Sequence, residues 1–454
     1  MDSSTAMTKV ARSIFLILLI LLVPAVFPAA AAQESTPNTL GFEFQEHRLR
    51  NGLRVILSVD ERLPLVTVVV AYGAGTIRER PGQEGLAFLL ENLMFRGSEN
   101  VSPLQHIGFV QKVGGDLNAQ TTADRTLFFQ NLPSNSLALA LWLESDRMKS
   151  LAITPAAIEI TRTDLIREHQ ERLASDPYLG SFAWFDALLY PDDFYGHPLI
   201  NAGDEMKKLT EKEILDFHQT YYVPNNAVLC IVGNIDIAET RELVARYFDS
   251  IPPGYDIPSP PVPAFSQDGE VIRNLSPIQA SSSGFHLGFR FYPLQTGDAY
   301  SLKILEYLLL KGETSRLRNR LLRHDRMAHY LSGGLENRGG VLGLQIFCLN
   351  NNADMVKKSE KAILAEIDKL KTNPVSSDEL AKARKLFKMD YLRGQSTNLG
   401  RALFLVDAAF SGKPLIALGA ELDKYMKVNP PTLQALIGRH FTPRNKVILE
   451  LGKK

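Results

Sequence analysis

The strongest constraint on this chain is that it contains one unit twice. Leu209-Thr-Glu-Lys-Glu-Ile-Leu-Asp-Phe, followed by Tyr221-Tyr-Val-Pro-Asn-Asn-Ala-Val-Leu-Cys-Ile-Val-Gly233, recurs as Val428-Asn-Pro-Pro-Thr-Leu-Gln-Ala-Leu followed by His440-Phe-Thr-Pro-Arg-Asn-Lys-Val-Ile-Leu-Glu-Leu-Gly452. At a fixed offset of 219 residues, Tyr222/Phe441, Pro224/Pro443, Asn226/Asn445, Val228/Val447 and Gly233/Gly452 coincide. A second helical match, Thr154–Ala174 against Ser376–Arg393, falls at nearly the same offset. Two matches in one register make a duplicated domain the economical reading.

Local pattern sets the contents of each copy. Asn51-Gly52 is a hairpin-favouring pair between two short strand patterns, and Leu65–Tyr72 is a continuous β-branched run, the mark of a buried strand. A helix is expected over Gly82–Phe95, strands near Leu117–Thr122 and Arg125–Leu132, and long amphipathic helices over Leu137–Met148 and Pro155–Ala174. This alternation predicts an α+β protein of two homologous domains, each a mixed, mostly antiparallel sheet with helices packed on one face. Ser250–Pro263 carries six prolines in fourteen residues and supports neither a helix nor a central strand. The expected organisation is a signal peptide at 1–32, an N-terminal domain at 40–250, a Pro-rich linker at 251–264 and a C-terminal domain at 265–454.

Charge and cysteine content narrow the function. Fifty basic residues balance fifty acidic ones with no run of one sign, so nucleic acid is not an expected partner. Lys9 and Arg12, then the apolar run Ile14–Phe27, then Pro28-Ala-Ala-Ala-Ala-Gln33 form the order of a secretory signal with cleavage after Ala32. That places the chain in the periplasm or outside the cell, with no membrane contact after cleavage. The competing reading is an uncleaved anchor, since Ile14–Ala32 is just long enough to span a bilayer. Cys230 and Cys348 sit in apolar strand-like runs more than a hundred residues apart and read as buried free thiols.

Several ordered blocks point to a family. Asn51-Gly-Leu-Arg-Val-Ile-Leu, Ala71-Tyr-Gly-Ala-Gly-Thr-Ile-Arg-Glu, Gly114-Gly-Asp-Leu-Asn-Ala, Asp124-Arg-Thr, Leu141-Trp-Leu-Glu-Ser-Asp-Arg-Met, Tyr195-Gly-His-Pro and Tyr222-Val-Pro-Asn-Asn run through the chain. With Gly85-Leu-Ala-Phe-Leu-Leu-Glu-Asn-Leu-Met-Phe-Arg-Gly97, they resemble the insulinase/pitrilysin zinc metallopeptidases in their short two-domain bacterial form. The resemblance implies two domains that form half of a clamshell. It also marks the departure: in the inverted motif His-x-x-Glu-His the imidazoles stand four residues apart on one helical face, and here Phe88 and Asn92 occupy those positions. Only the general-base glutamate remains, as Glu91, with Glu168 at the third-ligand position and Thr161 where an auxiliary Glu is expected. Phe offers no lone pair and an Asn amide is a poor zinc ligand, so no metal is expected on this chain. His169, next to Glu168, points about 100° away from it on a helix and does not substitute.

The same resemblance implies substrate-contacting groups in the second domain. Ser315-Arg-Leu-Arg-Asn-Arg-Leu-Leu-Arg-His-Asp-Arg-Met-Ala-His-Tyr330 places Arg323 and Tyr330 seven residues apart, like the family's Arg/Tyr pair that contacts the substrate near the scissile bond. Asn118 and Ala119 match the edge strand against which a peptide pairs. His197 and His286 stand alone, without ligand spacing, and read as structural. The expectation is a pseudopeptidase subunit that binds no cofactor. It pairs with a homologous catalytic chain bearing the intact zinc motif, and the pair cleaves peptides or unfolded segments. The alternatives are a peptide-binding or assembly protein of the same fold, and an unusual metal enzyme using Glu91, Asn92 and Glu168.

Overall fold

The structure, a computed structural model, describes residues 41–191, 195–196, 203–260, 270–278 and 280–453. The expected signal peptide, the His197-Pro198 pair and linker residues 261–264 lie outside the described residues. Strands β1 Gln45–Arg48, β2 Arg54–Val59, β3 Leu65–Tyr72, β4 Asp116–Thr121, β5 Thr126–Pro133 and β6 Ala227–Gly233 build one sheet. Strands β7 Val271–Ile278, β8 Gly284–Phe291, β9 Ala328–Arg338, β10 Val341–Asn350 and β11 Lys446–Lys453 build the other.

The duplication is visible in the topology. The sheets run β1-β2-β6-β3-β5-β4 and β7-β11-β8-β10-β9, the same order once the extra β1 is set aside. Each has one parallel pair at the same place, β2 with β6 and β7 with β11, and antiparallel pairs elsewhere. Helix Glu211–Tyr221 before β6 and helix Pro430–His440 before β11 are offset by 219 residues at both ends. Both start with a capping box, on Thr210 and on Asn429, so the two copies begin the helix at the same point by the same pair of hydrogen bonds.

Each repeat packs its helices on one face of its own sheet. Val55, Leu57, Val68 and Val70 meet Leu89, Leu90, Leu141 and Ile214 in the first, and Phe285, Leu287 and Phe289 meet Leu302, Leu305 and Ile363 in the second. The opposite faces are closed by exchange. Helix Leu179–Leu189, from the first repeat, lays Phe185 and Leu189 on Phe347, Val447 and Leu449 of the second sheet. Helix Asn398–Phe410, which begins 219 residues later, lays Ala402, Leu405 and Val406 on Ile56, Val69 and Cys230 of the first.

Two glycines admit the first of these helices. A Cβ on Gly343 would lie 2.2 Å from the Tyr190 hydroxyl, and one on Gly288 would lie 2.7 Å from the Phe185 ring. Ion pairs then fix both crossings. Arg338 reaches Asp186 on the first crossing helix at 2.6 Å, and Arg401 on the second reaches Asp60 at 2.9 Å and the Val59 carbonyl at 3.2 Å. The Pro-rich segment is held as well: Gly254 exchanges two hydrogen bonds with the Asn225 side chain, and Arg78 donates to the Pro258 carbonyl.

Candidate functional site

The helix carrying Phe88, Glu91 and Asn92 spans Leu86–Leu93. It starts at Gly85, whose φ of 92° is a left-handed conformation that glycine takes without steric cost. Its first turn is closed by a distant acid rather than a local cap. The fully buried Glu79 carboxyl group accepts from the backbone N–H of Ala87 at 2.7 Å and of Gly85 at 3.1 Å. Burial pushes this carboxyl up to about 8, against the pull of those two hydrogen bonds. Glu79 was not among the residues expected at the site; its signal is an acid six residues before a glycine that opens a helix.

The motif residues behave as a packed helix face. Phe88 is half-buried against the core of the first repeat. Asn92 turns its amide back on its own helix, donating to the Phe88 carbonyl at 2.9 Å. Glu91 accepts from the Thr121 hydroxyl at 2.5 Å, and Thr121 closes the inner end of strand β4. Burial holds the Glu91 carboxyl above its ordinary value, which Thr121 opposes.

Helix Pro155–Ser175 carries the remaining expected ligand and is tied to the motif helix through Arg96. Arg96 donates to the Thr161 hydroxyl at 3.0 Å and pairs with Asp164 at 2.9 Å. Thr161, standing where an auxiliary carboxylate was expected, thus serves as an acceptor between two helices. Glu168 lies one turn beyond Asp164 and is exposed. A zinc site needs three or four convergent lone pairs from imidazole, thiolate or carboxylate. Phe88 has none and Asn92 is turned inward, and among the described residues no three His, Cys, Asp or Glu side chains converge. These residues do not fit the metal that the motif holds elsewhere.

Asn118 and Ala119 lie on β4, the terminal strand of its sheet, as expected of an edge. The Asn118 carboxamide oxygen accepts from the Ala119 N–H at 2.8 Å, and a cavity of about 290 Å³ bordered by Phe95, Gln111, Leu117 and Asn118 opens beside the strand.

Arg323 and Tyr330 flank a turn in the second repeat. Arg323 is on a π-helix, Asn319–His324, and forms an exposed ion pair with Glu313 at 2.8 Å. Tyr330 is on β9, the terminal strand of the second sheet, with its ring 5.9 Å from that of Phe347 and 47% of its surface exposed. Both side chains are accessible from solvent. His286 is structural: it is buried, stacks on Phe185 and Phe347 and shares a 2.8 Å hydrogen bond with Ser181, and burial lowers its pKa to about 3. Cys230 and Cys348 are free and buried, in β6 and β10.

Fold and site together define a class: a duplicated α+β protein of peptidase build whose motif helix has lost its imidazoles. Two family descriptions match in succession, "Insulinase (Peptidase family M16)" over residues 54–180 and "Peptidase M16 inactive domain" over 208–387, the second running across the Pro-rich segment. The chain belongs to peptidase family M16. It is 27% identical over 349 residues to the zinc protease PqqE of Helicobacter pylori, covering 76% of this chain and 78% of that one. It is 24% identical over 424 residues to the human mitochondrial-processing peptidase subunit beta, covering 89% and 83%. Among solved structures, a protease from Helicobacter pylori superposes with a TM-score of 0.86 at 23% identity over 90% of this chain and 99% of that one. A peptidase M16 inactive domain from Pseudomonas fluorescens gives 0.78 at 16% identity over 91% and 98%.

Proposed function

We propose that this chain is the non-catalytic member of a two-chain zinc endopeptidase. The observation that carries the reading is the state of the motif helix, where Asn92 is spent on the Phe88 carbonyl and Phe88 on the core, leaving Glu91 without a metal-bound water to deprotonate. The zinc then resides on a homologous partner with the intact motif. This chain supplies the Arg323 guanidinium to bind peptide carbonyls and the Tyr330 phenol to donate to the oxygen on which charge develops. The substrate is a peptide or an unfolded segment, with Asn118 and Ala119 on an edge able to extend it by main-chain pairing. Residues 1–32 act as a cleaved secretory signal, which places the pair in the periplasm or outside the cell.

The test is expression of this chain alone and together with a homologue carrying His-x-x-Glu-His, followed by zinc analysis and cleavage of a quenched peptide. The expected result is no stoichiometric zinc and no turnover for the lone chain, and both for the pair. Stoichiometric zinc with turnover in the lone chain overturns the reading. An inactive pair favours a peptide-binding or assembly role.

A further inference from the structure

The helix exchange that closes the second sheet also builds a cavity. About 310 Å³ in volume, it lies between the crossing helix and strands β9 and β10, walled by Phe182 from the first repeat and by His286, Ser332, Glu336, Gln345 and Phe347 from the second. The Tyr330 ring lies next to its wall, 5.9 Å from the Phe347 ring. An apolar cavity of about 150 Å³ holds one benzene, so this space takes a whole aromatic side chain.

Its chemistry selects against negative charge. Both Glu336 oxygens are already engaged, one by Arg338 at 2.8 Å and the other by the Gln345 amide at 2.5 Å. The imidazole of His286 is held neutral at physiological pH by burial and is paired with Ser181. An anionic occupant would therefore lose its water beside a carboxylate and find no cation free to replace it. The rings offer what an aromatic group needs. Phe182 stands edge-on to His286 at 4.7 Å and tilted to Phe347 at 5.0 Å, which leaves faces and edges for a further edge-to-face contact. Phe182 remains 37% exposed, so the wall is built but not covered, and the nearby Tyr330 is 47% exposed.

We propose that this cavity is a side-chain pocket that takes one neutral aromatic side chain of a peptide passing Tyr330. The pocket rests on the reading of Tyr330 as a substrate contact, and it defines the substrate class of that reading as peptides with an aromatic residue near the Tyr330 contact. Because Phe182 and the β9–β10 wall come from different repeats, neither repeat forms the pocket alone.

The test uses the full chain without a partner and reads saturation-transfer NMR and titration with N-acetylphenylalanine amide, N-acetylalanine amide and N-acetylglutamate amide. Transfer to the phenyl protons is expected, with the aromatic probe binding roughly ten- to hundredfold more tightly than the other two. Ser332→Trp, which fills the space, is expected to abolish the signal. Phe182→Ala, at a partly exposed position that folding tolerates, is expected to weaken binding about tenfold. Equal binding of the three probes, or binding unchanged in Phe182→Ala, overturns the pocket. Because no zinc or turnover enters this measurement, an inactive two-chain complex that still binds the aromatic probe would refute the subunit reading and leave the pocket standing.

Discussion

Arg338 Nη2 lies 2.6 Å from Asp186 Oδ2, and this contact joins the two repeats where almost no water reaches. The same guanidinium pairs with Glu336 at 2.8 Å, donates to the Tyr195 carbonyl at 2.9 Å and lies over the Tyr190 ring at 4.5 Å. One arginine thus serves two carboxylates, one on the crossing helix of the first repeat and one on β9 of the second. Arg338→Ala strands the largely buried Asp186 and leaves the partly exposed Glu336 unpaired, and is expected to cost about 3–5 kcal/mol, read as a lowered midpoint in urea or heat. A loss of under about 1 kcal/mol would mean that water already enters the contact.

Asp186 gives that interface a pH dependence. Burial, with Glu336 adding to it, raises its pKa from the ordinary 3.8 to about 6, although Arg338 pulls the other way. Between these values the folded chain holds a proton that the unfolded chain has released. The contribution to stability is therefore full below about pH 4 and is lost as pH rises through about 6. Asp186→Asn is expected to flatten the thermal midpoint between pH 4.5 and 7, compared with the unmodified chain.

The exchanged helices predict how the chain divides. The second sheet buries Phe347, Val447 and Leu449 under a helix from the first repeat, and the first buries Ile56, Val69 and Cys230 under a helix from the second. Cut within the Pro-rich segment, each half exposes one apolar sheet face and is expected to aggregate when expressed alone. Co-expressed, the halves are expected to co-purify as one complex. Two soluble monomeric halves would contradict the exchange.

Much of this was legible in the sequence, for reasons that lie in particular residues. Leu65–Tyr72 was expected as a buried strand and is β3 with those bounds, because only a sheet covered on both faces needs a run with no polar alternation. The 219-residue register became two sheets of one strand order, since helix, turn and strand of each copy are locally determined. The crossing helices were not legible: nothing in Leu179-Gly-Ser-Phe-Ala-Trp-Phe-Asp-Ala-Leu-Leu189 says whose sheet it covers. Apolar residues all around the helix do not single out the covering face: Phe185 and Leu189 are buried while Trp184 is 62% exposed. Glu79 was missed because a cap supplied by a distant acid has no fixed spacing, unlike the Thr210-x-x-Glu213 box.

Glu79 supplies the next prediction. Glu79→Ala removes the acceptor for the Gly85 and Ala87 N–H groups, and is expected to cost about 1–2 kcal/mol, within the range for a lost helix cap. Burial raises its carboxyl from 4.5 to about 8, so its contribution is full below about pH 4.5 and is lost as pH rises through about 8. Glu79→Gln keeps one acceptor without the charge. It is expected to remove the decline in the melting midpoint between pH 6 and 9; an unchanged decline would assign the slope to another group.

The motif helix itself can be asked whether only its imidazoles are missing. Phe88 and Asn92 are four residues apart, so Phe88→His with Asn92→His places two imidazoles on one face of a helix that is already capped and packed. Arg96, one turn beyond Asn92, ties this helix to Thr161 and Asp164, and Glu168 follows Asp164 by one turn on the neighbouring helix. Two imidazoles and that carboxylate are the three protein ligands of a catalytic zinc site. The double variant is expected to bind one equivalent of zinc, measured by titration against a chromophoric chelator, and to lose it when Glu168→Ala is added. Retention of zinc without Glu168 would show a different third ligand. No zinc in the double variant would show that Glu168 does not share a cleft with positions 88 and 92.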